Sequence, residues 1–173
     1  MLTNFLFRKS IIADGRRKER VKIEFRPATA DDLELLLAWR SHPEVYHHFS
    51  EQDEPLVWEN HLEWWQSREN RRDWIIVINT AEQWRDVGSV SVADLETETP
   101  EVGVYVGEIT SWGNGIATDA LNFITDWLRE QNYAEARAKI AKDNEASQNL
   151  FEKVGFERIS STEESEGEYL IDL

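Results

Sequence analysis

Cysteine is absent from the 173-residue chain. That removes thiol nucleophiles, thiolate metal sites and disulfide staples, and it fits a reducing cytoplasm. Long apolar runs are absent too: none reaches the ~18 residues expected of a membrane-spanning helix. The first residues also lack the unbroken apolar core and cleavage site of a signal peptide. The expectation is a cytoplasmic protein with no membrane partner. Positive charge is scarce, with 19 Lys and Arg against 34 Asp and Glu and a formal net charge of -15. What there is clusters at one end, since residues 1–22 hold seven cations and two acids, leaving twelve against thirty-two in the rest. Nucleic-acid affinity comes largely from phosphate neutralisation by Lys and Arg, so DNA and RNA are not expected partners. Such a surface suits a cationic amine, or simply solubility in a salty cytoplasm. The four histidines, His42, His47, His48 and His61, lack ligand spacing with Asp or Glu on one helix face, and no metal is expected.

The length suits one domain with a full core. Residues 1–20 read as an N-terminal extension with a basic cluster, and 21–173 as the single folded domain. Val21, Ile23 and Phe25 alternate with polar residues up to Pro27, the pattern of a half-buried strand. Thr29 caps a helix carrying Leu33, Leu36, Leu37 and Arg40 at helical spacing, which Pro43 marks as ending near Ser41. A second helix over 56–67 carries Trp58, Leu62 and Trp65 on one side. A three-strand meander follows over 74–79, 87–93 and 101–106. In its last strand Val102, Val104 and Val106 share one face, while Gly103 and Tyr105 leave room on the other. A long amphipathic helix begins at Ile116, a strand covers 136–141, Asn144 opens another helix stopped by Gly155, and two strands over 156–159 and 169–173 close the chain. The order is β-α-α-β-β-β-α-β-α-β-β.

The segment that carries chemistry joins the third meander strand to the long helix through Trp112-Gly113-Asn114-Gly115-Ile116-Ala117. Unpaired amides at a helix start, approached closely at glycines, bind anions without a lysine. Neither Gly-x-x-x-x-Gly-Lys-Ser/Thr nor Gly-x-Gly-x-x-Gly is present, and the preceding strand belongs to a meander instead of a βαβ unit. On these residues alone the loop is either an anion site or a tight turn.

This segment resembles the Arg/Gln-x-x-Gly-x-Gly/Ala signature of the GNAT N-acetyltransferase superfamily, matching at Gly115 and Ala117, with Trp112 in place of the usual first residue. A second block of that family, Asn-x-x-Ser/Ala followed by Glu-Lys-x-Gly-Phe, is matched by Asn144, Ser147, Glu152, Lys153, Gly155 and Phe156. Arg26-Pro27 and Trp39-Arg40-Ser41-His42-Pro43 look like the opening of RimJ/RimL-like and flagellin amino-sugar acetyltransferases, and His61-Leu62-Glu63-Trp64 adds to the amino-sugar likeness. The resemblance implies an α/β (α+β) fold with a mixed, mostly antiparallel sheet of six to seven strands flanked by about four helices. It implies acetyl-CoA as acetyl donor, direct attack by a primary amine, and a monomer or homodimer. The amides from Ile109 through Trp112, Gly113, Asn114, Gly115, Ile116 and Ala117 would cradle the pyrophosphate. Val106 and Gly107 would hold the pantetheine by their backbone, with Asn144 and Ser147 contacting the cofactor from the next helix.

Amide formation from a thioester needs a base for the amine, an oxyanion donor and a proton for the thiolate. Glu101, heading the third meander strand, is the first candidate base and Glu108 the second. The family's usual acid is a tyrosine at the position of Phe151, which has no proton to give, so Ser147, Tyr105 or water would serve; the other reading of Tyr105 is a sheet aromatic with a solvated hydroxyl. His47, Phe49, Trp58 and Trp65 occupy the family's acceptor-side region, although aromatics at such spacing also serve as core. The expected acceptor is a small-molecule amine, such as an amino-sugar nucleotide, or a protein N-terminus. The alternatives are a catalytically weak acyl-CoA-binding regulatory module and an α/β interaction domain with no cofactor.

Overall fold

The computed structural model describes residues 21–49, 52–80, 83–160 and 166–173; the basic cluster of the N-terminal extension lies outside them. Seven strands form one mixed sheet in the order β1-β2-β3-β4-β5-β7-β6. They are β1 (Lys22–Pro27), β2 (Arg72–Thr80), β3 (Gln83–Ala93), β4 (Glu101–Val106), β5 (Glu135–Ala141), β6 (Glu157–Ser160) and β7 (Glu166–Asp172). Five α-helices cover or flank it: α1 (Leu33–Arg40), α2 (Pro43–Tyr46), α3 (Trp58–Ser67), α4 (Ile116–Glu130) and α5 (Glu145–Val154). This is the mixed α/β fold expected, with one helix more than the sequence reading allowed.

The extra helix is α2, and Pro43 explains it. Proline fixes φ near the helical value and its missing N–H costs nothing at a first helical position, so it can begin a helix as readily as it ends one. α1 does stop at Arg40, but His42 then caps a new turn, its Nδ1 accepting from Glu44 N at 3.2 Å. Upstream, Thr29 opens a short 3-10 turn that leads into α1, and its backbone N–H donates to Asp32 Oδ2 at 2.8 Å.

The sheet buries both faces, and the two faces differ. On one, the stripe Ile116, Ala120, Leu121, Ile124 and Leu128 of α4 packs on Ile76, Ile78, Val90, Val92 and Val102, all buried. Each such Val, Leu or Ile side chain contributes roughly 1.5–3 kcal/mol relative to exposure. The other face is smaller: Leu36 and Trp39 of α1 meet Ile75, with Tyr105 and Trp65 half-buried beside them. At Gly107 a side chain is impossible, because a Cβ would lie 2.1 Å from the Trp39 ring.

The feature that places the site is a break in the sheet. β4 and β5 run parallel but pair only at Glu101↔Arg137, where Arg137 N donates to Pro100 O at 3.0 Å. Along a strand, backbone groups point alternately to the two sides. With Pro100 facing β5, Val102, Val104 and Val106 also turn their N–H and C=O that way, and beyond Val102 the ladder to β5 ends. β4 and β5 therefore splay, leaving backbone groups at the centre of the sheet without a strand to pair with.

Candidate functional site: a splayed strand pair facing a bare helix start

A cavity of about 720 Å³ fills the splay. One wall is β4 from Glu101 to Val106, the second is Lys139, Ile140 and Ala141 of β5, the third is the start of α5, and the floor is the loop leading into α4. The loop takes its shape from two glycines. Gly113 and Gly115 have φ of 74° and 79°, the left-handed region that costs other residues ~1–2 kcal/mol, and an added Cβ at either would meet no protein atom within 4 Å. The space beside them is open, and both glycines line the cavity.

Gly115 is the N-cap of α4 and has no side chain to cap with. Asp119 N is the first amide of the helix to find a backbone carbonyl, that of Gly115. Among the described residues the amides of Gly113 to Thr118 donate to no other backbone group, so the N-terminus of a fifteen-residue helix is left bare beside the cavity. Bare amides plus the helix dipole favour an anion. Asn114 braces the loop, its Nδ2 donating to Ser111 O at 3.1 Å and Trp112 O at 3.3 Å. Trp112 braces it against the strand: its Nε1 donates to Val106 O at 2.8 Å. Of the gap-facing groups of β4, this leaves the N–H and C=O of Val104 and the N–H of Val106.

The start of α5 is tied across the same gap. Asn144 caps the helix, Oδ1 accepting from Ser147 N at 3.0 Å, while Nδ2 donates to His48 O at 3.2 Å. The His48 ring in turn stands edge-on to Trp112, centroids 5.9 Å apart. Ser147 and the buried ring of Phe151 line the cavity beside Asn144.

A second cavity of about 260 Å³ lies on the α1–α3 side and shares Arg40, Arg71, Ser91 and Tyr105 with the first. Arg40 stacks on Phe49 at 3.8 Å and is fixed by buried Gln52, whose Oε1 accepts from Nη2 at 2.9 Å and whose Nε2 donates to the Arg40 carbonyl at 2.7 Å. Asp73 is clasped by Arg68 Nη1 at 2.6 Å and Arg71 Nε at 3.0 Å. Tyr105 stands between Trp39 and Phe49, edge-on to both. Burial pushes its hydroxyl well above the usual phenol range, with the positive charge of Arg40 opposing only in part. His61 completes the wall.

Of the residues singled out from sequence, Glu101, Tyr105, Val106, Trp112, Gly113, Gly115, Ile116, Ala117, Asn144, Ser147 and Phe49 line the large cavity. Gly107, Ile109 and Asn114 do not: Gly107 is closed over by Trp39, Ile109 is exposed in the 3-10 turn, and Asn114 holds the loop by its side chain. His47, Trp58 and Trp65 line neither cavity. His47 is exposed against Tyr46, Trp58 faces solvent in the first turn of α3, and Trp65 is covered by the Arg68 guanidinium at 3.1 Å. Tyr105 is not the solvated aromatic considered from sequence but is wedged between cavities. Glu101 is ion-paired with Arg137 Nε at 3.4 Å and Lys139 Nζ at 3.7 Å. The sequence reading missed Arg40, His61 and Arg71 as cavity residues. For Arg40 the clue was present, a cation on the apolar stripe of α1.

A family model described as "Acetyltransferase (GNAT) domain" matches residues 22–157. The uncharacterized protein MJ1062 of Methanocaldococcus jannaschii is 44% identical over 155 residues, 90% of this chain and 32% of that protein, so the chain spans about a third of that relative. The crystal structure of a domain from Methanocaldococcus jannaschii superposes with a TM-score of 0.86 at 44% identity, covering 88% of this chain and 99% of that one. Spermidine N-acetyltransferase from Vibrio cholerae, in complex with CoA and spermine, shares the fold at a TM-score of 0.73 and 14% identity, covering 87% of this chain and 95% of that one. With the splayed strands and the bare helix start, the matched domain settles the family: this chain is a member of the GNAT acetyltransferases.

Proposed function

We propose that the protein transfers an acetyl group from acetyl-CoA to a primary amine by direct attack. The observation that carries this is the run of unpartnered amides from Gly113 to Thr118 opening on the β4–β5 splay. The pyrophosphate sits on those amides, and the pantetheine enters the splay as a strand, pairing with Val104 and with the Val106 N–H. Asn144 holds the frame through Ser147 N and His48 O, and its second N–H and second lone pair are left for the cofactor. The thioester then lies near Tyr105, where the two cavities meet. Tyr105 keeps its proton and can donate a hydrogen bond to the carbonyl oxygen or the departing sulfur. Ser147, on the α5 wall, is a second donor. Glu101, the first candidate base from sequence, is ion-paired with two cations and serves better to fix the joined end of the splay.

The acceptor is a small amine entering from the α1–α3 side. Arg40 and Arg71 in that wall favour one that also carries an anionic group, such as an amino-sugar nucleotide, over a polyamine. A place in the amino-sugar or RimJ/RimL-like branch, action in the cytoplasm, and a monomeric or dimeric state belong to this reading. Phe151, in place of the family's usual tyrosine, supports a second reading as an acyl-CoA-binding module without turnover. Calorimetry with acetyl-CoA, then thiol release with UDP-glucosamine, spermidine and a peptide with a free N-terminus, separates the cases. Binding with turnover on UDP-glucosamine is expected; binding without turnover supports the module, and no binding removes both.

A further inference from the structure

α3 turns an unusual residue inward. Of its ten residues the buried one is His61, 6% exposed, while Trp58 and Trp64 are more than a third exposed. The imidazole lies nearly parallel on the Trp64 indole, centroids 5.3 Å apart, and its Nε2 is sealed from solvent with no hydrogen-bond partner. An unsatisfied buried nitrogen costs ~1–3 kcal/mol, a cost that leucine at this position would avoid. Stability alone gives no reason for a histidine there.

Its surroundings give one. The ring lines the smaller cavity, and the ionisable groups lining it with the ring are Arg40 from α1, Arg71 just before β2, Asp73 from β2, and Tyr105 from β4. Arginines do not accept protons at neutral pH, and Tyr105 holds its own. Asp73 is taken by Arg68 and Arg71. Of the titratable groups on this wall, the imidazole is thereby the one left to act as a base. Burial, reinforced by the positive charge of Arg40, lowers its proton affinity below that of free histidine, while the Leu33 carbonyl pulls the other way by drawing a ring N–H. The result is a neutral ring whose Nε2 lone pair is unused.

We propose that His61 takes the proton shed by the acceptor amine during acetyl transfer, its Nε2 meeting the amine once the bound acceptor opens the packing around the ring. This inference rests on the acetyltransferase reading. The amine nitrogen bonds to the thioester carbon, the C–S bond breaks toward sulfur, and the nitrogen's surplus proton passes to the imidazole. The thiolate takes up one proton and the imidazolium gives one back, so the net products are an amide and CoA thiol and the ring is restored. A base in this position acts on the acceptor side of the carbonyl, whereas Glu101 lies at the head of β4, tied to β5 by its two cations.

Histidine-labelled protein distinguishes this role from a packing role by nitrogen NMR, with His61 assigned from the spectrum of His61→Gln. A single neutral tautomer at pH 7, protonating only below about 6.5, is expected; an imidazolium at pH 7 overturns the proposal. Steady-state kinetics use whichever of UDP-glucosamine, spermidine or the peptide turns over fastest. His61→Gln should lower kcat by about 100-fold or more, the usual size of a general-base contribution. Its acetyl-CoA affinity should stay within about twofold of the wild type by calorimetry, because no cofactor contact is touched. His61→Ala should recover part of the rate when imidazole is added. If His61→Gln keeps kcat within threefold, or imidazole rescues nothing in a folded His61→Ala protein, the proposal fails while the family reading stands. Loss of acetyl-CoA binding by the wild type would instead remove the acetyltransferase reading itself.

Discussion

The two cavities are built from different materials. The larger is mainly a backbone device: bare amides at the start of α4, unpaired groups of β4, and glycines at positive φ that keep the approach open. The smaller is a side-chain device, in which Arg40, His61, Asp73 and Tyr105 converge from four elements. Backbone sites follow from local sequence and depend little on charge, so an acidic surface does not preclude an anion site of this kind. Side-chain sites depend on tertiary packing, and one change of rotamer or partner alters them. Substitutions on the two sides should therefore separate cofactor affinity from acceptor handling.

The largest separation is expected at the helix start. Gly115→Val forces a β-branched residue into the left-handed region and fills the open space beside the loop. Acetyl-CoA affinity should fall by about 100-fold or more, corresponding to roughly 3 kcal/mol, with the far-UV spectrum unchanged; calorimetry with circular dichroism checks this. On the acceptor side, Arg40→Met keeps much of the stem packing on Phe49 but removes the charge and the bonds to Gln52. The acceptor KM should rise about tenfold, about 1.4 kcal/mol, with the calorimetric affinity for acetyl-CoA unchanged.

Asn144→Ala tests the tie between the two sides. It removes the α5 cap and the bond to His48 O, for a loss of about 1–2 kcal/mol. A fall in Tm of a few degrees and a modest rise in the KM of both substrates should follow. The smallest effects are in pH dependence. The His61 proton affinity is lowered by folding, so its contribution to stability is present above the unfolded value near 6.5 and is lost as pH falls below it. Tyr105 is shifted the other way, so its contribution is present below about pH 10 and is lost above. Melting curves of His61→Gln should flatten the acid limb only, and those of Tyr105→Phe the alkaline limb only.

The same contrast explains what could be read from the sequence. The bounds of β4 and the start of α4 at Ile116 were legible because alternation, a helical stripe and two glycines are local patterns. The splay was not legible, since the single pair Glu101↔Arg137 is a property of two strands distant in the chain. On α3 the periodicity of Trp58, Leu62 and Trp65 marked an apolar side without saying what it would meet. Trp65 found Arg68 as cover, while His61, three residues after Trp58 and four before Trp65 on the same side, became the buried residue. Pro43 marked the end of α1 near Ser41 correctly, but the turn it also starts went unread, because proline is compatible with both ends of a helix boundary.

The central claim is that main-chain N–H groups at the start of α4 hold the diphosphate. Titrating uniformly nitrogen-15-labelled protein with CoA and following backbone amide resonances tests it most directly. The amides from Gly113 to Thr118 should show the largest downfield shifts, saturating with the calorimetric isotherm and absent in Gly115→Val. Saturable binding that leaves those amides in place and instead shifts resonances around surface Lys and Arg side chains would contradict it.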